Sequence, residues 1–307
     1  MLPVFLNVFL KVTILFLMIA VGYACGKLHI ISDSGAKEMT SILFWVVTPC
    51  LIITALQNVS QTVTLENLMN SGILSVICIG ISIGFSYLLF RKDSPERQGI
   101  LRFAVSYSNC GFMGLPLVSV LLGNQGVAYA SMFIAVFNLF VWTHGITCMH
   151  HGAPFSYKKA LLNPGIIGLI IGFILFLFSV RLPEVMLSPM QYFSDLNTPL
   201  AMLVIGVYIS EVPLKDLFSE WILYRLSLVR LLVIPLICFL ALLPLHVDRS
   251  IFMTLLTLSS APSAANSVMF AAQFGIDTRL GSKAVALTTI LSVLTMPLFP
   301  MLVNFFY

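Results

Sequence analysis

"SNCGFMGLPLV", residues 108–118, interrupts what otherwise reads as a membrane-spanning helix. The run from Gly99 to Leu122 is apolar enough to cross a bilayer, yet this window holds Gly111, Gly114, Pro116 and the amide of Asn109. Pro116 cannot donate to the carbonyl four residues earlier and its ring clashes with that carbonyl, while the glycines permit unwinding. Unwound backbone exposed to lipid is costly, so it persists only where protein buries it or where it lines a wet cavity. The window therefore points to a purposeful break at membrane depth.

Composition sets the context. Of 307 residues, 59% are hydrophobic and 9% charged, where soluble domains carry about 25% charged residues; mean hydropathy is +1.02. About 20 apolar residues cross a hydrocarbon core of roughly 30 Å. Runs of that kind cover Asn7–Cys25, Lys37–Asn58, Asn67–Phe90, Gly99–Leu122, Gly126–Met149, Ala160–Val180, Gln191–Ile209, Ser219–Leu243, Ser250–Phe274 and Thr278–Phe306. The expected fold is an all-α membrane protein of ten transmembrane helices, with no soluble domain.

The basic residues support that count. Lys27, Lys37, Arg91, Lys92, Arg97, Arg102, Lys158, Lys159, Lys215, Arg225, Arg279 and Lys283 fall on alternate connections. Arg181 and Arg249 lie on the other side, and Lys11 and Arg230 lie within helices. Basic connections face the cytoplasm, so both termini are expected outside a multi-pass protein of the cytoplasmic membrane. The net charge of +4 then reports topology and contact with anionic lipid. No basic face with interleaved aromatics suggests nucleic acid. A signal sequence around Lys11 is disfavoured, because apolar residues precede it and the same run completes an even helix count.

An offset of 150 residues exposes an internal repeat. Thr48-Pro49 falls on Thr198-Pro199, and Ser108–Leu117 falls on Leu258–Ser267, "LSSAPSAANS", which is again small, polar and proline-containing. Five helices per half is an odd number, so the halves 1–153 and 154–307 are expected as inverted repeats. Each break begins ten residues into its helix, at Asn109 from Gly99 and at Ser260 from Ser250. That depth is about 15 Å at ~1.5 Å per residue, near the bilayer centre. Helices 4 and 9 are therefore expected to be broken and to cross at mid-membrane, aiming the positive ends of their outgoing halves at one point, where an anion fits.

The residues also resemble a known family. "SNCGFMGLPLV", with "VGYACGKLHI" and "VVTPCLI" before it and "TPLAMLVIG" and "APSAANSVMFAAQFG" after it, is similar to the auxin efflux carrier family over nearly the whole chain. That family includes plant PIN-type auxin exporters and bacterial malate and malonate permeases. The resemblance implies a scaffold domain of helices 1, 2, 6 and 7 and a transport domain of helices 3–5 and 8–10, meeting at a crossover that binds mostly organic anions. Its motif lands on Asn109, Gly111, Gly114 and Pro116, and the partner motif on Pro262, Ser263 and Asn266. PIN-type members carry a long hydrophilic segment between the fifth and sixth helices. Here only about ten residues, Met149–Lys159, join them, as in bacterial members, which favours a small mono- or dicarboxylate over auxin.

Other polar groups within spans receive roles. Asp195, one turn before Pro199, is a candidate for coupling to a proton or sodium ion, or, near the outer end of its helix, simply faces water or caps the helix. Arg230 is a candidate partner of Asp195 or of a substrate carboxylate, or snorkels toward headgroups. Thr48-Pro49 and Thr198-Pro199 are expected to loosen their helices beside the crossover, while Asn138 and Gln57 read as helix–helix hydrogen-bond partners. The six cysteines (Cys25, Cys50, Cys78, Cys110, Cys148 and Cys238) read as packing residues. His150 and His151 read as a loop pair beside Lys158, so no metal and no cofactor beyond a coupling ion is expected. No serine has a histidine at its depth, and no two aspartates pair, so an enzyme is not expected. The function read here is a secondary carrier for a small organic anion; the alternative is a transporter-like sensor or scaffold. Expected partners are the anion and membrane lipid, with a homodimer left open.

Overall fold

Regular structure among the described residues is helical, apart from one isolated antiparallel bridge between Ser108 and Ser263. The computed structural model describes residues 2–59, 63–91, 93–149, 162–212, 217, 220–274, 276 and 278–306. The expected junction of the two halves at 153/154, with Lys92, His150, His151, Lys158, Lys159 and Lys215, lies outside them.

The helices in chain order are α1 (Leu2–Lys27), α2 (Asp33–Ile42), α3 (Thr48–Asn58), α4 (Leu65–Leu89), α5 (Pro95–Ser106), α6 (Leu115–Phe140), α7 (Ile146–Met149) and α8 (Pro164–Leu177). They continue with α9 (Glu184–Asp195), α10 (Asn197–Ser210), α11 (Trp221–Leu228), α12 (Ile234–Leu242), α13 (Arg249–Ser260), α14 (Asn266–Gln273), α15 (Thr278–Thr295) and α16 (Leu298–Phe306).

Four π-helical segments join some of these: Leu43–Val47, Cys110–Gly114, Val141–Gly145 and Val229–Val233. Proline accounts for three of them. Pro49, Pro116 and Pro235 each stand second in the helix that follows, and the carbonyl four residues before each falls inside the widened turn. A proline gives that carbonyl no N–H partner and crowds it, and widening the turn relieves the clash while keeping the helix going. Pro199 likewise leaves the Asp195 carbonyl without its N–H partner, where α9 ends and α10 begins two residues later.

Seven helical stretches among the described residues are long and apolar enough to span a membrane. The sequence reading expects ten, three more than length and apolarity mark out among the described residues. Cys110–Met149 is one stretch of 40 residues, about 60 Å at ~1.5 Å per residue, twice the hydrocarbon thickness. It divides at Gly123, whose φ of 59° and ψ of −149° suit glycine. Pro164–Leu177 is apolar but has 14 residues, and α5, α13 and α14 are half-length pieces.

Packing is close where glycine allows it. A Cβ on Gly22 of α1 would stand 2.3 Å from the Leu203 carbonyl of α10, and one on Gly206 of α10 would stand 2.1 Å from the Ile19 carbonyl. On the other side, Gly168 and Gly172 of α8 press against Pro49 and Ile53 of α3, with Cα atoms 2.7 and 3.3 Å from the built Cβ positions. These are small-xxx-small contacts, which let membrane helices gain van der Waals packing where lipid supplies no hydrophobic drive. Large apolar side chains such as Leu17, Trp45, Ile73, Leu240 and Leu294 stay exposed, as lipid-facing residues do.

Candidate functional site

The segments that follow α5 and α13 are joined by backbone hydrogen bonds. Helical bonding stops after Ser106, and Tyr107 is extended (φ −113°, ψ 120°). It stops again after Ser260, where Ala261 is extended (φ −62°, ψ 150°). The backbone N–H of Asn109 donates to the Pro262 carbonyl at 2.6 Å, and that of Ala264 donates to the Tyr107 carbonyl at 2.9 Å. The Ser263 N–H reaches Thr288 Oγ1 at 3.1 Å. The Asn109 carbonyl accepts from Met113 and Gly114, both at 3.1 Å. Backbone groups of the two interruptions thus pair with one another and with Thr288 rather than being left to lipid.

Arg230 completes this arrangement. Only 1% exposed, it donates Nε to the Ala261 carbonyl at 3.1 Å, Nη1 to Val105 at 3.0 Å and Nη2 to Ser259 at 2.5 Å. Those carbonyls belong to the C-terminal ends of α5 and α13, the negative ends of both incoming half-helices. One guanidinium thus neutralises and ties together two helix ends. It neither snorkels nor pairs with Asp195. Asp195 is exposed at the end of α9 and accepts from Gln191 Nε2 at 2.9 Å.

Beside the crossing is a cavity of about 50 Å³, room for a few waters or a compact solute. Its polar wall consists of Asn109, Asn138, Asn163, Asn197, Asn266 and Thr48, with Ser108, Gly111 and Gly165 adding backbone; Phe44, Phe112 and Phe137 supply apolar surface. No Asp, Glu, Lys, Arg or His is among its described lining residues. Three helices start at this wall. Asn109 caps the turn that opens α6, accepting from Phe112 N–H at 3.3 Å. Asn163 caps α8, accepting from Gly165 N–H at 3.0 Å, and α14 begins at Asn266. Asn163 also donates to Asn138 Oδ1 at 3.3 Å. Asn197, 3% exposed, has a buried Nδ2 with no hydrogen-bond partner among the described residues.

The residues expected from sequence take different places. Asn109, Gly111, Asn266 and Thr48 line the cavity. Gly114 lets the two broken helices touch, since a Cβ there would lie 2.7 Å from Leu258 Cδ2. Pro262 and Ser263 act through backbone, and Pro116, Pro49 and Pro199 shape helices rather than line the cavity. Gln57 ties the end of α3 to residues 180–182, donating to Val180 O at 3.0 Å and accepting from Leu182 N–H at 2.9 Å. Asn163 and Asn197 were not singled out from sequence, although "NPG" and "NTP" place each asparagine just before a proline-bearing helix start.

Comparison with known proteins places the chain in a family. Residues 7–300 match the family model described as membrane transport protein. The chain belongs to this family, that of the auxin efflux carriers. An uncharacterized transporter of Methanocaldococcus jannaschii is 27% identical over 299 residues, covering 94% of this chain and 96% of that protein. A putative malonate transporter of Rhizobium meliloti is 24% identical over 235 residues, 70% of this chain and 73% of its own length. Protein PIN-LIKES 1 of Arabidopsis thaliana is 21% identical over 184 residues, 53% of this chain and 36% of its own. The protein is thus a multi-pass membrane transporter by family, and the archaeal and rhizobial relatives are named as transporters.

Proposed function

We propose that this protein is a secondary carrier for a small organic anion, bound at the asparagine-lined cavity and moved across the cytoplasmic membrane by alternating access. One observation carries the reading: three helix N-termini and five asparagines converge on a cavity with no charged lining residue. Each N-terminus is worth about half a positive charge, enough together to hold a carboxylate without the desolvation cost of a buried cation. Arg230 masks the opposing negative helix ends, so the field at the cavity is positive. Phe44, Phe112 and Phe137 would take the apolar part of the solute. The name of the rhizobial relative supports malonate as a first probe.

In this reading the chain crosses the membrane ten times as two inverted repeats, with both termini outside. The glycine contacts support it. Gly22 sits on the backbone of Leu203 and Gly172 on that of Ile53, and a shift of 150 residues converts one pair into the other. Helices 1, 2, 6 and 7 would then form the scaffold and the crossing helices the moving part.

The unpartnered amide of Asn197 supplies the test. In purified protein, malonate should raise the melting temperature and proteoliposomes should accumulate it. Asn197→Ala should abolish the malonate-induced shift while leaving the unliganded melting temperature equal or higher, because an unsatisfied buried amide is removed. A full malonate shift in Asn197→Ala would remove that residue from the site. Binding without uptake by the wild type would favour a sensor.

A further inference from the structure

Of the four π-helical segments among the described residues, only Val141–Gly145 has no proline two residues after it, so backbone sterics do not account for its widened turn. Such turns are enriched at functional positions, and this one presents His144. Tyr87 Oη lies 3.1 Å from His144 Nε2, and Tyr107 Oη lies 2.8 Å from Nδ1. Tyr107 Oη also donates to the Phe140 carbonyl at 2.9 Å.

Counting protons fixes the direction of this chain. Tyr107 spends its single hydroxyl proton on Phe140, so toward His144 it must accept, and Nδ1 carries hydrogen. In the neutral imidazole Nε2 is then an acceptor, filled by the Tyr87 hydroxyl. Tyr87 is 41% exposed. Its carbonyl accepts from Arg91 Nε at 3.2 Å, at the charged end of α4 where water reaches, so a proton from water can add to Nε2 while the Tyr87 hydroxyl hydrogen turns outward, and every hydrogen bond of the chain is kept with one reversed.

The inner end of the chain is the crossing itself. Tyr107 is the residue at which α5 stops, and its carbonyl accepts from Ala264, which lines the cavity. Its ring stands edge-on to Phe137, another lining residue, with centroids 5.6 Å apart. The groups facing His144 from other elements are Tyr87 of α4 and Tyr107 of α5. Arg102 lies behind Tyr87, its Cζ 4.7 Å from that ring's centroid, and Cys148 is on the neighbouring α7.

We propose that His144 is a proton-binding site of this protein, linked through Tyr107 to the crossing, so that proton binding biases the cavity. Proton binding stands independently of the transport reading; coupling to solute movement rests on it.

Two measurements test this. With His29, His150, His151 and His246 replaced by Gln in the full chain, the remaining imidazole should titrate by NMR between about pH 5 and 8, and Tyr87→Phe should shift its midpoint. An imidazole that stays in one protonation state across that range, or a midpoint indifferent to Tyr87→Phe, would overturn the site. In proteoliposomes, an imposed proton gradient should stimulate malonate uptake about fivefold or more in wild type. His144→Gln, assayed beside Tyr107→Phe to separate a lost proton from a lost tether, should respond to the gradient with no stimulation. Unaltered stimulation in His144→Gln would refute coupling. Absence of any malonate uptake by wild type would count against the transport reading alone, and the titration would still decide the proton site.

Discussion

The backbone N–H of Asn109 donates to the carbonyl of Pro262 at 2.6 Å, joining residues 153 positions apart at the centre of the fold. The same residue caps the turn opening α6 and lines the cavity. These roles are separable by charge. Asn109→Asp keeps the acceptor at a helix N-terminus, where a carboxylate is favoured by about 0.3–1 kcal/mol, but places a negative charge where the anion binds. Its melting temperature should match or exceed wild type while malonate uptake is lost. Asn109→Ala should lose uptake and also about 1 kcal/mol of stability with the cap. Uptake by Asn109→Asp at the wild-type rate would show that the cavity does not bind anions.

Arg230 gives the opposite pattern, a stability residue at a functional crossing. Its three hydrogen bonds go to Val105, Ser259 and Ala261, carbonyls that nothing else in the helices satisfies. Arg230→Met leaves buried acceptors unpaired, each costing about 1–3 kcal/mol. We expect a loss of roughly 3 kcal/mol or more, measured as a large fall in melting temperature in detergent. Arg230→Lys retains charge without the planar fork and should lie between. A fully stable Arg230→Met protein would mean that the two helix ends need no cation.

This pair of residues shows how far the sequence could be read. The sequence marks the windows around Asn109 and Pro262 because proline and glycine have fixed local consequences, and the helical bonding of α5 and α13 ends within these windows, at Ser106 and Ser260. The destination of Arg230 was not legible, because nothing local distinguishes a snorkelling arginine from one that reaches two helix ends 29 and 125 residues away. The polar wall was half legible. Asn109 and Asn266 sit inside the broken motifs, whereas Asn163 and Asn197 reach the same cavity only through packing of α8 and α10 against the crossing. The π-helical turns escaped as well, since a proline shows where a helix is disturbed but not whether it bends, breaks or widens.

Outside the membrane spans, Glu220 gathers two cations. Its carboxylate meets Arg97 at 2.9 Å and Lys283 at 3.2 Å, tying the start of α5 and the residues before α11 to α15. Partial burial pushes its carboxyl up, but hydrogen bonds from Arg97 and Lys283 outweigh this and hold it below its ordinary value. A depressed carboxyl stabilises the fold above the unfolded-state value and loses that contribution as pH falls through the folded-state value. Wild type should therefore lose thermal stability on acidification below the ordinary glutamate range more steeply than Glu220→Gln does. At neutral pH the variant should be less stable by about 0.5–1 kcal/mol, the half-exposed pair being screened by solvent. Parallel pH profiles for the two proteins would rule this contribution out.

The last expectation concerns the packing that holds α1 against α10. Gly22 and Gly206 allow backbone-to-backbone contact there: a Cβ at Gly206 would lie 2.1 Å from the Ile19 carbonyl and 2.5 Å from the Tyr23 nitrogen, and one at Gly22 would lie 2.3 Å from the Leu203 carbonyl. No flexible side chain can yield at these points, so the helices must separate. Gly206→Ala should cost at least 1–3 kcal/mol, as overpacking does, and Gly206→Leu should prevent stable folding. Gly84 is a control on α4, because a Cβ there would meet nothing within 4 Å. Gly84→Ala should match wild type or gain stability from the better helix former. Comparing melting temperatures of Gly206→Ala and Gly84→Ala separates close approach from helix propensity. If both change alike, α1 and α10 are not held by backbone contact, and the proposed pseudo-symmetric contact between Gly172 and Ile53 loses its counterpart.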